Sequence, residues 1–532
     1  MRDKLSTYSQ YDLAIVGSGF AGSLLAMIAR RLGRSVILLE RGRHPRVVIG
    51  ESSTPLSNLL LEELATRYNL PEVKQLTKWG VWQDTHLELA CGLKRGFSFF
   101  HHSLGEKKSR MNRENQLLVA ASPHDQISDT HWYRADFDQF LMQQARSMGS
   151  EYLDELHLQG CVNSGDGMHL RGVRQGHEVE IKASFVVDAS GPRGFLHQAL
   201  GLGERELPGF PATQALYSHF SGVKRLDALY EDDRWKYAPY PIDDAAVHHI
   251  FDGGWVWALH FNNGVTSAGV VAVTGLAEEL QLREGREAWE RLLARIPVLR
   301  DQFAESKSVQ PFRYLAQVGF RSAVIAKDNW ALLPSAAGLV DPLLSTGFPL
   351  ALLGIERLAE IFDHNWGTRD LSARLESYAA QTDNELVATS RLIGALYATM
   401  DNFPVFTAIS RLYFAAASYS EAARRLRKPH LASSFLLHDH PQFGPACRAV
   451  LDQAHEIRPG KESEDLTNEI FRVIEPFDVA GLSRQDRGNW YPIEAEDLLK
   501  SAHKVGATER EIMAMLERCG FRPATSQPYM QS

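Results

Sequence analysis

The stretch "YDLAIVGSGFAGSLLAMIARRLGRSVILLER", residues 11–41, constrains the fold more than any other part of the chain. "LAIV" reads as a short buried strand, "SLLAMIARRL" has helical apolar spacing, and "SVILLE" reads as the next strand, ending at Glu40. Gly17, Gly19 and Gly22 form G-x-G-x-x-G at the strand-to-helix turn. The first glycine permits the tight turn, the second lets backbone approach a pyrophosphate, and the third lets helix and strand pack closely. N–H groups at the helix start favour phosphate. Glu40 is placed to accept a ribose hydroxyl, with Arg41 beside it. A glycine-rich turn of another α/β fold would lack this whole strand–helix–strand unit.

Length sets the next bound. At 532 residues the chain is too long for one compact core, so two or more domains, or one domain with a large appendage, are expected. The formal net charge of −8, with no long basic run, argues against nucleic acid or an anionic membrane as the main partner. No apolar run is long enough to span a bilayer. The glycines at fixed spacing also make residues 13–29 a strand and helix rather than a secretory signal. Cys91, Cys161, Cys447 and Cys519 are scattered, without Cys-x-x-Cys. A disulfide framework or structural zinc is therefore not expected, and a reducing cytoplasm fits.

FAD and NAD share the glycine fingerprint. Two later segments favour FAD. "WYRADFDQFLMQQA" (132–145) puts Arg134 at the head of an amphipathic helix, and "ASFVVDASGPRG" (183–194) is a strand ending in Asp188, with Gly191 beyond it. In flavoproteins of the hydroxylase class such a strand end returns to the flavin. No second G-x-G-x-x-G on a strand–helix unit is visible, so a dedicated NADPH domain is not expected.

Four further segments follow in order: "RHPRVVIGESSTP" (43–55), "CGLKRGFSFFHH" (91–102), "HHIFDGGWVWALHFNNGVTSAG" (248–269) and "LLPSAAGLVDPLLSTGF" (332–348). Together they resemble the flavin-dependent halogenases, nearest the pyrrolnitrin-pathway aminophenylpyrrole branch, from about residue 11 to about residue 360. The resemblance implies FAD supplied reduced by a separate flavin reductase, and chloride or bromide turned into hypohalous acid. A lysine then delivers the halogen to a small, free, electron-rich aromatic, a phenol or pyrrole, in secondary-metabolite biosynthesis. A homodimer is open. Rival readings on the same scaffold are an FAD monooxygenase and a catalytically idle flavin-binding protein.

Aligned on these motifs, Lys94 matches the family's catalytic lysine, and "FSFF" reads as a strand that would hold it. From composition alone Lys94 is a surface lysine beside Arg95, and Lys78 is its competitor. Trp255, Trp257, Leu259 and Phe261 share one strand face; Val256, Ala258 and His260 share the other. That pattern alone reads as core. The resemblance makes Trp255 and Trp257 also the wall of a reaction compartment, although Leu259 and His260 replace the family's isoleucine and proline. Asn263-Gly264 reads as a two-residue hairpin turn. Ser345, Thr346 and Gly347 precede a helix and are placed to hold a halide on backbone N–H groups, or simply to cap the helix. Gly347 and Asp341 are also expected to meet the cofactor. Pro334-Ser335 stand where many relatives have Gly-Asp, and Leu344 where tryptophan-specific members have a glutamate base.

The fold expected is α/β: an FAD-binding Rossmann-like domain, an inserted antiparallel sheet carrying substrate, and a mainly helical C-terminal region. The division is 1–365 for the core, with the sheet module at about 205–325, and 366–532 for helices covering the substrate cavity. "TEREIMAMLERCG" has a capping box, Thr508 to Glu511, and "RKPHLASSFLLHDHPQFG" (427–444) reads as loop. His430, His438 and His440 in that loop are not expected to bind metal.

Overall fold

The computed structural model describes residues 6–7, 10–107, 112–165, 167–230, 235–457 and 461–521. The opening strand, Tyr11–Val16, lies at the centre of a mostly parallel sheet in the order Trp330–Leu332, His177–Asp188, Tyr11–Val16, Val36–Leu39, Glu151–Leu153. Such strands are covered on both faces, which is why they read as continuous apolar runs. Helix Phe20–Arg31 packs against Arg134–Ser147 and Gly347–His364. His177–Asp188 extends beyond the parallel sheet and joins Leu156–Ser164 and Gly167–Arg174 in an antiparallel meander.

A second sheet orders Lys307–Ser308, Thr213–Ser221, Val265–Val273, Gly254–His260, Ala246–Phe251, Gly96–His101, Gln116–Ala120 and Trp490–Tyr491. It therefore draws strands from before residue 205 and from near the C-terminus as well as from the middle of the chain. Alternation along Gly254–His260 is as the pattern requires. Trp255, Trp257 and Leu259 face the main core, while Val256 and Ala258 enter separate clusters on the back of the sheet. The turn differs from the expected two-residue hairpin. His260 pairs with Thr266, and the Phe261 N–H donates to the Val265 carbonyl at 2.9 Å. Three residues, Asn262 to Gly264, form the loop, with Gly264 at φ +79°, a left-handed position suited to glycine.

Beyond Gly347–His364 the chain is mainly helical, led by Leu371–Ala398 and Phe403–Arg425. Arg424 ties three helices together through Glu63 (2.7 Å) and Glu356 (2.8 Å). Arg357 makes a bidentate pair with Glu385, both bonds 2.7 Å. The capping box at Thr508 and Glu511 is formed. Residues 427–444 contain two short 3₁₀ turns, Pro429–Ala432 and Phe435–Leu437, rather than open loop. No helix among the described residues is long and apolar enough to cross a membrane.

One glycine fixes the tryptophan face. A Cβ on Gly269 would lie 2.3 Å from the Trp257 ring and 2.5 Å from Tyr217 Cβ. Gly269→Ala should therefore displace the indole and destabilise the protein by roughly 1–3 kcal/mol. A thermal melt unchanged from the parent would show that the indole is not held by this packing.

Candidate functional site

The glycine-rich turn has the geometry its spacing requires. Gly17 has φ +100°, and a Cβ there would meet the Ala189 carbonyl at 2.6 Å. A Cβ on Gly22 would meet the Gly17 carbonyl at 2.0 Å. Gly19 precedes the helix without a side-chain cap, leaving the first N–H groups for a ligand. Two guanidinium groups flank it: a Cβ on Gly19 would be 3.4 Å from Arg46 Nη2 and 3.5 Å from Arg134 Nη2. This donor set suits a pyrophosphate, and so fits FAD.

Glu40 follows Val36–Leu39. Its carboxylate accepts from the Ser18 N–H (3.1 Å), Ser18 Oγ (3.0 Å), the Gly42 N–H (2.9 Å) and Arg46 (3.3 Å). Burial alone would raise its pKa, but Arg46 and these hydrogen bonds hold it below the usual carboxylate value. Arg134 is buried, forks onto Asp138 at 2.7 and 2.8 Å, and donates to the Gly50 carbonyl at 2.9 Å. Two expected cofactor residues are placed otherwise. Arg41 is exposed, outside the cavity lining. Asp188 is buried and spends its carboxylate on the Ser190 and Leu196 N–H groups (2.8 and 2.6 Å), bracing the turn whose Ala189 to Pro192 line the cavity.

A large cavity runs from Gly19, Arg46 and Arg134 to the second sheet, where Ala215, Ala246, His248, Trp255, Trp257 and Leu259 form its far wall. The sequence motifs thus meet here. Gly191, Pro334, Ser335, Asp341, Ser345, Thr346 and Gly347 also line it. Leu344 and Ser345 both have positive φ, 64° and 56°, and turn the chain into helix Gly347–His364. No side chain caps that helix, so its opening N–H groups, from Gly347 and Phe348, point outward from its start. Pro349, next in line, has no N–H to offer. Tyr413 hydroxyl holds the Leu344 carbonyl at 3.0 Å. Asp341 is buried, and burial pushes its carboxyl up to about 7 against hydrogen bonds from the Leu343 N–H and Tyr397. Trp255 Nε1 donates to Tyr397 at 3.1 Å, and Trp257 Nε1 to Ser267 at 3.1 Å. The indoles are packing and wall at once. His260 is on the opposite face, with Nδ1 3.0 Å from Thr266 Oγ1.

Lys94 is fully buried. It ends a separate short strand, Cys91–Lys94, paired with Asp129–Trp132, rather than belonging to "FSFF", which forms the neighbouring strand Gly96–His101. Its ammonium donates to Ser52 Oγ at 2.9 Å and to the Ser53 carbonyl, and stands 3.7 Å from the centre of the Phe97 ring. Ser52 lines the large cavity. Phe97 and Thr54 line a second cavity, with Tyr413, Phe414 and Glu421. Lys94 therefore stands in the partition between the two. Lys78, by contrast, is a half-buried residue ahead of helix Trp79–Thr85 and lines neither.

Sequence reasoning missed three members of this partition. Asp129, the ladder partner of Lys94, is buried and accepts from Asn58 at 2.8 Å. Burial pulls the Lys94 ammonium down and pushes the Asp129 carboxyl up, while each charge opposes the other's shift. His248 stacks on Phe99 with centroids 4.6 Å apart, and burial, then Lys94, lower its pKa to about 3. It is neutral, with Nδ1–H donated to the Ala246 carbonyl at 2.8 Å. Glu51 pairs with His219 at 2.9 Å, both buried, at the cavity edge. "GESSTP" and "HHIF" contained Glu51 and His248, but nothing local marks Asp129, whose place is set by cross-strand register.

Known proteins resemble this chain over most of its length. The tryptophan halogenase family model matches residues 12–404. Monodechloroaminopyrrolnitrin halogenase PrnC of Pseudomonas fluorescens is 26% identical over 413 residues, 76% of this chain and 71% of its own. Tetracycline 7-halogenase of Kitasatospora aureofaciens is 24% identical over 76% of this chain and 73% of its own. The crystal structure of halogenase PltM with phloroglucinol and FAD superimposes with a TM-score of 0.78 at 24% identity, covering 90% of this chain and 99% of that one, which supports the fold. The chain belongs to the tryptophan halogenase family and is a flavin-dependent halogenase.

Proposed function

We propose that this enzyme halogenates a free, electron-rich phenol or pyrrole, and that Lys94 passes the halogen from the flavin cavity to the substrate. The observation that carries this reading is the burial of Lys94 between two cavities. Two relatives are named for free molecules, monodechloroaminopyrrolnitrin and tetracycline, which supports a free substrate, while two others are named for a pyrrole-2-carbonyl group on a peptidyl-carrier protein.

Arg46, Arg134 and the N–H groups after Gly19 would hold the pyrophosphate of FAD, supplied reduced by a separate reductase. Bound there, the cofactor would supply with oxygen the oxidising power that turns halide into hypohalous acid. The Gly347 and Phe348 N–H groups hold the halide by the partial positive charge of a helix start. Trp255 and Trp257 close the far wall against bulky aromatics. The Lys94 ammonium binds hypohalous acid and orients the halogen toward the second cavity. A ring carbon then attacks the halogen and the halogen–oxygen bond breaks. Lys94 gives a proton to the departing hydroxide, forming water, and the ring loses its proton.

Two outcomes are expected. Lys94→Ala should lose halogenated product by a factor of about 10² or more, the scale for one oriented electrostatic donor. Its oxidation of reduced flavin should be unchanged, because that step lies on the other side of the partition. Liquid chromatography with mass detection of bromide-dependent products from phenols and pyrroles is the readout. Parental halogenation by the variant would make Lys94 structural. Parental products that are hydroxylated only, at saturating bromide, would overturn the substrate chemistry.

The second outcome concerns pH. Burial lowers the Lys94 pKa and Asp129 opposes that shift. His131 and His248, the other titratable groups around it, are held neutral by burial. Protonated Lys94 is needed, so halogenation should fall as pH rises through the lowered value. Asp129→Asn removes the opposing charge and should move this alkaline limb to lower pH. An alkaline limb that stays in place would show that Asp129 does not set the charge of Lys94.

A further inference from the structure

Lys94 stands behind Phe97 in the wall of the second cavity, and the substrate's own proton is left to be explained. Its walls are mostly apolar, with Phe97 and Phe414 packed on each other, centroids 5.0 Å apart and planes at 58°, offering ring edges and faces to a planar aromatic. Its hydroxyl groups are already engaged. Thr54 Oγ1 pairs with Ser57 Oγ at 2.7 Å, Ser418 Oγ donates to the Ala415 carbonyl at 3.2 Å, and Tyr413 donates to the Leu344 carbonyl at 3.0 Å. Glu421 is different. It projects from helix Phe403–Arg425 into the lining, and Arg425, one turn on, donates to Oε1 at 2.7 Å. Oε2 takes no hydrogen bond among the described residues.

The position of Glu421 relative to the partition is electrostatically close. Its charge raises the Asp129 pKa and that of Arg425 lowers it, so both lie within range of the carboxylate that faces Lys94. The cavity thus has a cation behind its Phe97 wall and, at another side, a carboxylate oxygen with no hydrogen bond among the described residues. Leu344, where tryptophan-specific relatives carry a glutamate, is fully buried and supplies no such group.

We propose that Glu421 is the substrate-binding base of the second cavity: Oε2 accepts the phenolic O–H or pyrrole N–H of the bound aromatic and takes that proton as the ring attacks. The proposal rests on the halogenation reading above. The balance is as follows. The ring's electron pair forms the carbon–halogen bond, the halogen–oxygen bond of hypohalous acid breaks, and the hydroxide takes a proton from Lys94. The heteroatom proton passes to Glu421, giving a neutral dienone or its pyrrole equivalent. Loss of the ring proton to water and return of the Glu421 proton to the heteroatom restore the aromatic ring. A substrate with an acidic O–H or N–H conjugated with the carbon to be halogenated is selected by this arrangement.

The test compares Glu421→Gln, Glu421→Asp and Arg425→Met in the full chain supplied with reduced FAD, oxygen and bromide. Resorcinol is the probe, and brominated resorcinol and free hypobromous acid are measured separately. General base catalysis sets the scale, so Glu421→Gln should brominate resorcinol about 10²-fold more slowly or worse. Its output of hypobromous acid should match the parent. Glu421→Asp should recover part of the rate. Arg425→Met breaks the same ion pair but keeps the carboxylate, and should stay within a few-fold of the parent. Glu421→Gln brominating like the parent would overturn the proposal. So would equal losses in Glu421→Gln and Arg425→Met, because the pair would then be structural. A parent enzyme that makes hypobromous acid yet brominates no phenol or pyrrole overturns the halogenation reading itself, which is a different failure.

Discussion

Keeping one ammonium group out of water is the constraint on which the rest of this structure depends. Desolvating an ion costs roughly several kcal/mol even after relaxation. Lys94 is compensated by hydrogen bonds to Ser52 and Ser53, each worth about 1.5–3 kcal/mol for a charged donor, and by the Phe97 ring, worth about 2 kcal/mol when dry. Asp129 faces it across the ladder. The two serines, Phe97 and Asp129 come from three separate segments of the chain. The partition therefore exists only when the second sheet, the Cys91–Lys94 and Asp129–Trp132 pair and the segment before helix Pro55–Arg67 are all in place.

The compensation also explains the separation of tasks. On one side are the glycine turn, two arginines and a helix start, all suited to anions. On the other are phenylalanine rings and a carboxylate, suited to a neutral aromatic with a proton to lose. In the proposed reaction protonated Lys94, in a dry wall between them, attracts hypohalous acid, and His248, held neutral by burial, adds no second cation. The C-terminal helices matter here for a physical reason: Tyr413 carries the wall of the second cavity and, through the Leu344 carbonyl, steadies the turn before Gly347.

Much of this was legible in the sequence, for reasons that differ by residue. The glycine turn was readable because its steric demands are local, as the blocked Cβ positions at Gly17 and Gly22 show. The tryptophan face was readable because a strand alternates with period two. Lys94 was reached through family resemblance, and its strand was misassigned, since Arg95 separates two short strands that look like one. Asp188 looked like a cofactor ligand from its place at a strand end, but its turn consumes its hydrogen-bonding capacity. Asp129 and Glu421 were not legible at all. Their positions depend on cross-strand register and on the docking of a helix hundreds of residues away.

The proposed mechanism requires Lys94 to separate the source of the halogen from the aromatic that receives it. A crystal structure with FAD, bromide and a bound phenol, using the anomalous signal of bromine, tests this most directly. A bromide peak is expected at the N–H groups of Gly347 and Phe348, and ring density against Phe97 in the second cavity, with the Lys94 ammonium between them. Ring density against Trp255 and Trp257 in the flavin cavity, with Lys94 off the path, would contradict it.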